Sequence, residues 1–228
     1  MITVLFKSIK KIHLTIVNLL IISGFSFAEP IGGVIESTGV TSLVRESERL
    51  ESDVGTDVNI YDEAETANGR MLIEFLDEEK LSLTENSLVY IDEAYYDPDP
   101  SKSKMAISMV RGTARFASGA GNRIKKQNVD VSTPTANITM RGTDFTTTID
   151  ELGRTMVVLL PDEETGASSG EIVVYNDGGE VVLTEAYAAT VVSSYDTAPT
   201  QSVIIQGITP NLIDNMFIVN PPTEIREQ

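Results

Sequence analysis

The chain has 228 residues, 41% of them hydrophobic, and its 17 basic against 34 acidic residues give a formal net charge of −17 at pH 7. A field of that sign makes nucleic acid and anionic membrane surfaces poor partners. The lack of cysteine excludes disulfides and a lipid-modified cysteine, and a single histidine, His13, leaves everything after it without an imidazole for a triad, a zinc site or a haem.

Lys7, Lys10 and Lys11 precede an apolar stretch from Ile12 to Phe27 with no acidic residue, the layout of a helical signal peptide. Ser26-Phe27-Ala28 puts small residues at the −3 and −1 positions, so cleavage is expected after Ala28. Those 16 residues, with Thr15, Asn18 and Ser23 among them, fall short of the roughly 20 that span a bilayer. Loss of residues 1–28 leaves 14 basic against 34 acidic groups, a formal charge of −20, and no membrane contact is expected afterwards. The expected organisation is a signal peptide at 1–28, one domain at 29–195 and a partly irregular extension at 196–228.

From Val34 onward, short runs of Val, Ile, Thr and Leu alternate with Gly, Asn and Asp, which predicts an all-β domain. Met71, Ile73 and Phe75, then Leu81 and Leu83, keep the period of two that lines one face of a strand. Asn68-Gly69, Leu152-Gly153 and Asn176-Asp177-Gly178-Gly179 supply turns, the last closing a hairpin between 171–175 and 180–184. The expected body is a solenoid-like or sandwich-like stack of short strands. Four of the nine prolines fall in the last 30 residues, where Leu212, Ile213, Met216 and Phe217 could dock a short helix onto the body.

Arg111-Gly112-Thr113 and Arg141-Gly142-Thr143 lie 30 residues apart, a spacing that suggests equivalent positions in successive layers. In that arrangement Arg111 and Arg141 stack near Arg115, Arg123, Lys125 and Lys126. They then either pair with carboxylates such as Asp144 and Asp130 or form a site for an anion or an acidic partner. Gly112 and Gly142 suit a bend or a close approach, Phe116 and Phe145 suit the core, and Thr133-Pro134 suits an extended entry to a strand. The loop from Asp92 to Lys102 holds Asp92, Glu93, Asp97 and Asp99, a solvated acidic surface or a calcium site. Its Tyr95 and Tyr96 are candidate contacts for a protein or a glycan. The segment 161–170 reads as a surface excursion.

Val129-Asp130-Val131-Ser132-Thr133-Pro134-Thr135-Ala136 leading into Arg141-Gly142-Thr143-Asp144-Phe145 resembles the hallmark of FecR-type periplasmic domains, a Thr-Pro-x-Ala stretch followed by Gly-Thr-x-Phe. The 69–75 and 81–87 runs and the 170–183 hairpin are similar to other parts of that family, so the resemblance covers roughly 33–194. Asp77-Glu78-Glu79-Lys80 stands where the family commonly has Asp-Gly, and Glu185-Ala186 where it commonly has Gly. An anti-sigma segment and a transmembrane helix usually precede the domain, whereas a signal peptide does here. The resemblance implies a non-enzymatic periplasmic or secreted module that needs no cofactor and binds an envelope protein. A carbohydrate-binding or peptidoglycan-binding protein is the alternative, with Tyr95 and Tyr96 lining the groove. Thr133, Pro134, Gly142, Thr143 and Phe145 are then structural.

Overall fold

The structure is a computed structural model that describes residues 29–118, 128–162 and 165–207. The signal segment with its cleavage point after Ala28, the basic residues Arg123, Lys125 and Lys126, and the proposed helix at 211–219 lie outside the described residues. The body is all-β, as the alternating runs predict. β1 (Gly32–Thr38), β2 (Thr41–Arg45), β3 (Glu48–Glu51), β4 (Asp57–Val58), β5 (Glu63–Thr66), β6 (Arg70–Phe75), β7 (Lys80–Leu83) and β8 (Leu88–Tyr95) precede the long β9 (Lys104–Ala117). β10 (Asn128–Ser132), β11 (Asn137–Arg141), β12 (Phe145–Ile149), β13 (Thr155–Leu159), β14 (Ile172–Asn176), β15 (Gly179–Leu183), β16 (Ala188–Val192) and β17 (Val203–Ile204) follow it. A single-turn 3-10 helix, Pro100–Lys102, is the only helix among the described residues, and none there is long and apolar enough to cross a membrane.

All seventeen strands form one hydrogen-bonded network, and the pairings resolve it into two sheets that share β9. Sheet A runs β4-β1-β6-β7-β9-β12-β13-β16-β17. Sheet B runs β3-β2-β5-β8-β9-β10-β11-β14-β15. Among these strands β9 and β10 alone pair in parallel; the other neighbours are antiparallel, as short turns between strands require.

Residues from both sheets fill one apolar cluster, the packing of a sandwich-like body. Met71, Ile73 and Phe75 of β6 and Leu81 and Leu83 of β7 face it from sheet A, while Val89, Ile91, Ile107, Val131, Ile138 and Val174 face it from sheet B. Their partners on the opposite side of each pleat are left to solvent or to polar contacts, which is why period two in the sequence translates into a buried and an outer face.

β9 crosses between the sheets, and Gly112 is where it does so. Lys104 to Arg111 pair with β8 in sheet B, and 112–116 pair with β12 in sheet A. On the sheet B side the buried residues are Met105, Ile107 and Met109; on the sheet A side they are Ala114 and Phe116. The inward phase passes from odd to even, and Gly112 at φ +89° absorbs the change. The second crossing, from β11 to β12, repeats the device: Ile138 and Met140 point inward before Gly142 at φ +58°, Phe145 and Thr147 after it.

Two local expectations are corrected. Asp92 to Tyr95 belong to β8, so the loop there begins only at Tyr96. Thr133-Pro134 is not an extended entry but the start of a tight turn joining β10 to β11, with Thr133 N donating to Ala136 O at 2.8 Å. Within the expected partly irregular extension at 196–228, residues 197–204 are fastened to the body, with Thr190 Oγ1 donating to Thr200 O at 2.7 Å and β17 pairing with β16.

Candidate functional site

The two Arg-Gly-Thr segments sit at corresponding sheet crossings, but they do not stack their arginines. Lys104 of β9 is opposite Asn128 of β10, which is opposite Arg141 of β11. Arg111 lies seven residues farther along β9 than Lys104, about 23 Å at strand rise. Arg111 and Arg141 therefore stand at opposite ends of sheet B, and the expected common basic face is not formed. The cause is that β9 and β11 run antiparallel, so the two crossings occur at opposite ends of the sandwich. Of Arg141 only the backbone pairing with Asn128 is described.

Arg111 has a specific partner that the spacing did not point to. Its guanidinium donates to Glu65 Oε1 at 2.8 Å, and Arg49 reaches the other oxygen of the same carboxylate at 2.6 Å. The hydrogen bond from Arg49, assisted by Arg111, holds the Glu65 carboxyl below the usual carboxylate range. The triad lies on the outer face, where such pairs contribute about 0–1 kcal/mol each.

Asp144, the variable position of Gly-Thr-x-Phe, has no exposure at all. Its Oδ1 accepts from Ser118 N at 3.0 Å and its Oδ2 lies 3.9 Å from the Arg115 guanidinium, so Arg115 is a basic neighbour of this buried carboxylate. Thr143 Oγ1 meets Ser169 Oγ at 2.7 Å, and Ser169 Oγ donates to Leu160 O at 2.7 Å. The motif thus ties the end of β9, the crossing and the 161–170 segment together. Asp130, the other suggested partner for an arginine, accepts instead from Thr139 Oγ1 at 2.7 Å.

Phe145 stacks on Phe116, with ring centroids 4.8 Å apart and planes 8° from parallel. The two are direct partners across β9 and β12, an arrangement contributing about 0.5–1.5 kcal/mol beyond burial. In the β10–β11 turn the Thr133 hydroxyl accepts from Ala136 N at 3.0 Å, while Thr155 Oγ1 donates to it at 2.9 Å. Pro134, with its fixed φ, suits the second position of that turn.

Tyr95 and Tyr96 do not line a common groove, because neighbours on an extended chain point to opposite faces. Tyr95 is 52% exposed, its hydroxyl donating to Asp97 Oδ2 at 3.2 Å. Tyr96 packs against the core and donates to Ile31 O at 3.0 Å. The acidic loop turns two carboxylates on itself, Asp97 Oδ1 accepting from Asp99 N and Asp99 Oδ1 from Ser101 N and Oγ, while Asp92 of β8 accepts at Oδ2 from Ser108 Oγ of β9. No group of three or more metal-ligating side chains occurs among the described residues.

Two buried acids were invisible in the sequence. Asp62, with no exposure, receives Arg45 at both oxygens at 2.8 Å and Asn59 N at 2.8 Å. Glu79, 4% exposed, lies in the turn between β6 and β7 that replaces the expected Asp-Gly. That turn is closed by Phe75 N donating to Glu79 O at 2.8 Å, with Glu78 at φ +68° in the place of glycine. At Glu185-Ala186 the missing glycine is covered the same way, by Tyr187 at φ +63°.

Comparison with known proteins places these features. Residues 62–161 match the family model described as FecR protein. No curated protein sequence matches significantly. Two crystal structures of a candidate anti-sigma factor from Parabacteroides distasonis are similar, at 14% and 15% identity and TM-scores of 0.45 and 0.44. Each match covers 60% of this chain and 57% of the other. The matched segment begins at the buried Asp62, runs through both crossings and ends just after β13. The chain therefore contains a FecR domain, matched over residues 62–161.

Proposed function

We propose that the chain is an exported, non-enzymatic module of the bacterial periplasm that binds an envelope protein. The observation that carries this reading is the FecR match over 62–161, in which both crossing motifs serve the scaffold. A rigid scaffold leaves recognition to its outer faces and loops. The N-terminal layout of Lys7, Lys10 and Lys11 before the apolar run supports export.

N-terminal sequencing of the exported product tests the first part: a chain beginning at Glu29 supports export with cleavage after Ala28, and retention of residues 1–28 in the cell-associated product refutes it. Capture from a gently crosslinked envelope fraction with residues 29–228 as bait tests the second. A defined periplasmic or outer-membrane protein recovered in stoichiometric amount supports the reading, and enrichment of glycan without such a protein refutes it.

One observation favours glycan binding as a second reading, at a place other than Tyr95 and Tyr96. Asn137 of β11 is directly opposite Tyr175 of β14, on the outer face of sheet B, and its Nδ2 donates to the Tyr195 hydroxyl at 3.1 Å. Both tyrosines are 40% exposed. Asn176 Nδ2 donates to Ser194 O at 3.0 Å and Thr197 O at 2.7 Å, which fixes the segment carrying Tyr195. Exposed rings flanking an amide suit a neutral saccharide. Tyr175→Ala should then lower retention on cell-wall material with an unchanged melting temperature; equal retention removes this reading.

A further inference from the structure

Three separate segments converge on one carbonyl at the end of sheet A. Ile31 O, just before β1, accepts from Leu76 N of the β6–β7 turn at 3.0 Å and from the Tyr96 hydroxyl at 3.0 Å. Beside this junction is Glu79, whose carboxyl is 4% exposed and whose Oε1 has no hydrogen-bond partner among the described residues. Leaving a carboxylate oxygen buried without a donor is costly, whereas a neutral carboxyl reduces that cost.

The surroundings also oppose charge on Glu79. From its own turn, Asp77 Oδ1 accepts from Glu79 N at 3.3 Å, and the charge of Asp77 adds to the effect of burial. From the segment after β8, the titratable group in range is Tyr96, which feels both Asp77 and Glu79. From β1, Ile31 presents its carbonyl. From the adjoining strands, Lys80 is paired with Glu74 at 3.3 Å, 45% exposed, and its partner on β9 is Ala117. Among the described residues no basic group contributes to holding Glu79 ionised.

We propose that Glu79, Asp77 and Tyr96 form a proton-operated latch, in which neutral Glu79 keeps the β6–β7 turn docked on Ile31 and Tyr96, and its ionisation releases the turn. Loss of the proton from Glu79 to solvent places two like charges in one turn, one of them without water. The turn relieves this by swinging outward, which breaks Leu76 N to Ile31 O and frees the Tyr96 hydroxyl. The start of β1 and the loop following Tyr96 are thereby loosened together, and the acidic loop carrying Asp97 and Asp99 changes its presentation with pH.

The test is a carbon-detected NMR titration of the Glu79 carboxyl in the intact chain between pH 5 and 10, with amide exchange at Leu76 followed in parallel and corrected for intrinsic base catalysis. Burial, reinforced by Asp77, pushes the Glu79 carboxyl up to about 8, so its resonance should move around that pH. Leu76 exchange should rise at least tenfold through the same window, and Asp77→Asn should shift both midpoints to lower pH. Glu79→Gln should leave Leu76 protected across the range. Titration of Glu79 below pH 6, or Leu76 protection unchanged to pH 10 in the unsubstituted chain, overturns the latch, as does a Glu79→Gln protein that keeps the same step. The unsubstituted chain alone decides the matter if either variant fails to fold.

Discussion

Replacing Gly112 with alanine tests whether the sandwich depends on the crossing of β9. A Cβ at Gly112 would lie 2.3 Å from Ser87 Oγ, 2.4 Å from Ser87 Cα and 2.7 Å from Ser87 Cβ. Turning a side chain cannot relieve the clash with the Ser87 backbone, and Ser87 is fully buried, its Oγ accepting from Thr113 N at 3.0 Å. Two costs add: about 1–2 kcal/mol for a non-glycine residue in the left-handed region, and about 1–3 kcal/mol for forcing extra volume into a packed site. Restriction of the unfolded chain returns up to about 1 kcal/mol, leaving a net loss of about 1–5 kcal/mol. Gly153→Ala is the control, because its φ is +79° but nothing lies within 4 Å of the added Cβ; it should cost about 0–2 kcal/mol by the same reasoning. Urea unfolding with a common m-value reads both. Equal losses for the two variants would show that close packing at the crossing is not what makes residue 112 a glycine.

The remaining predictions concern charge. Asp62→Ala leaves Arg45 without its bidentate partner, and since Arg45 is 31% exposed the loss should fall below the 3–5 kcal/mol of a fully buried pair, at about 2–3 kcal/mol by urea unfolding; a loss under about 1 kcal/mol would contradict the role given to the pair. Arg111→Ala should cost no more than about 1 kcal/mol at low salt and nothing measurable in 1 M NaCl, as screening requires; a larger, salt-independent loss would mean the guanidinium acts through packing. The raised Glu79 pKa makes stability fully present below about pH 4.5, the unfolded value, and lost as pH rises to about 8. In that window the unfolded chain binds fewer protons than the folded one, so stability read by urea unfolding should fall by roughly 1 kcal/mol per pH unit. Glu79→Gln should flatten this slope, and equal slopes for the two proteins would refute the assignment.

Strand faces were the most legible feature. The alternation at 71, 73, 75, 81 and 83 needs no partner to be read, because each strand carries its own period. Turns were legible where glycine or asparagine marked them, and missed where Glu78 and Tyr187 adopt positive φ without that signature. Arg111 and Arg141 illustrate the harder problem. Local sequence marked Gly112 and Gly142 as bends or close approaches, but which end of the sheet each occupies depends on the direction of β11 relative to β9, a long-range fact. Glu65, Asp62 and Glu79 were hidden for a related reason: among 34 acidic residues, burial alone distinguishes the few with structural work. Tyr96 was misread as a surface contact beside Tyr95, although neighbours on an extended chain point to opposite faces.

The place of β9 at the centre of both sheets also bears on how the chain assembles. Four strands on one side in sheet A (β4, β1, β6, β7) and four in sheet B (β3, β2, β5, β8) all precede β9, while the four on the other side of each sheet all follow it. Every strand pairing between these halves among the described residues passes through β9. A chain emerging from its N-terminus can thus complete the first half against one edge of β9 while the opposite edge is still unpaired in both sheets. Until β10 and β12 arrive, that edge is an open template for any extended chain nearby, so the interval between the two halves is when this protein is most exposed to mispairing.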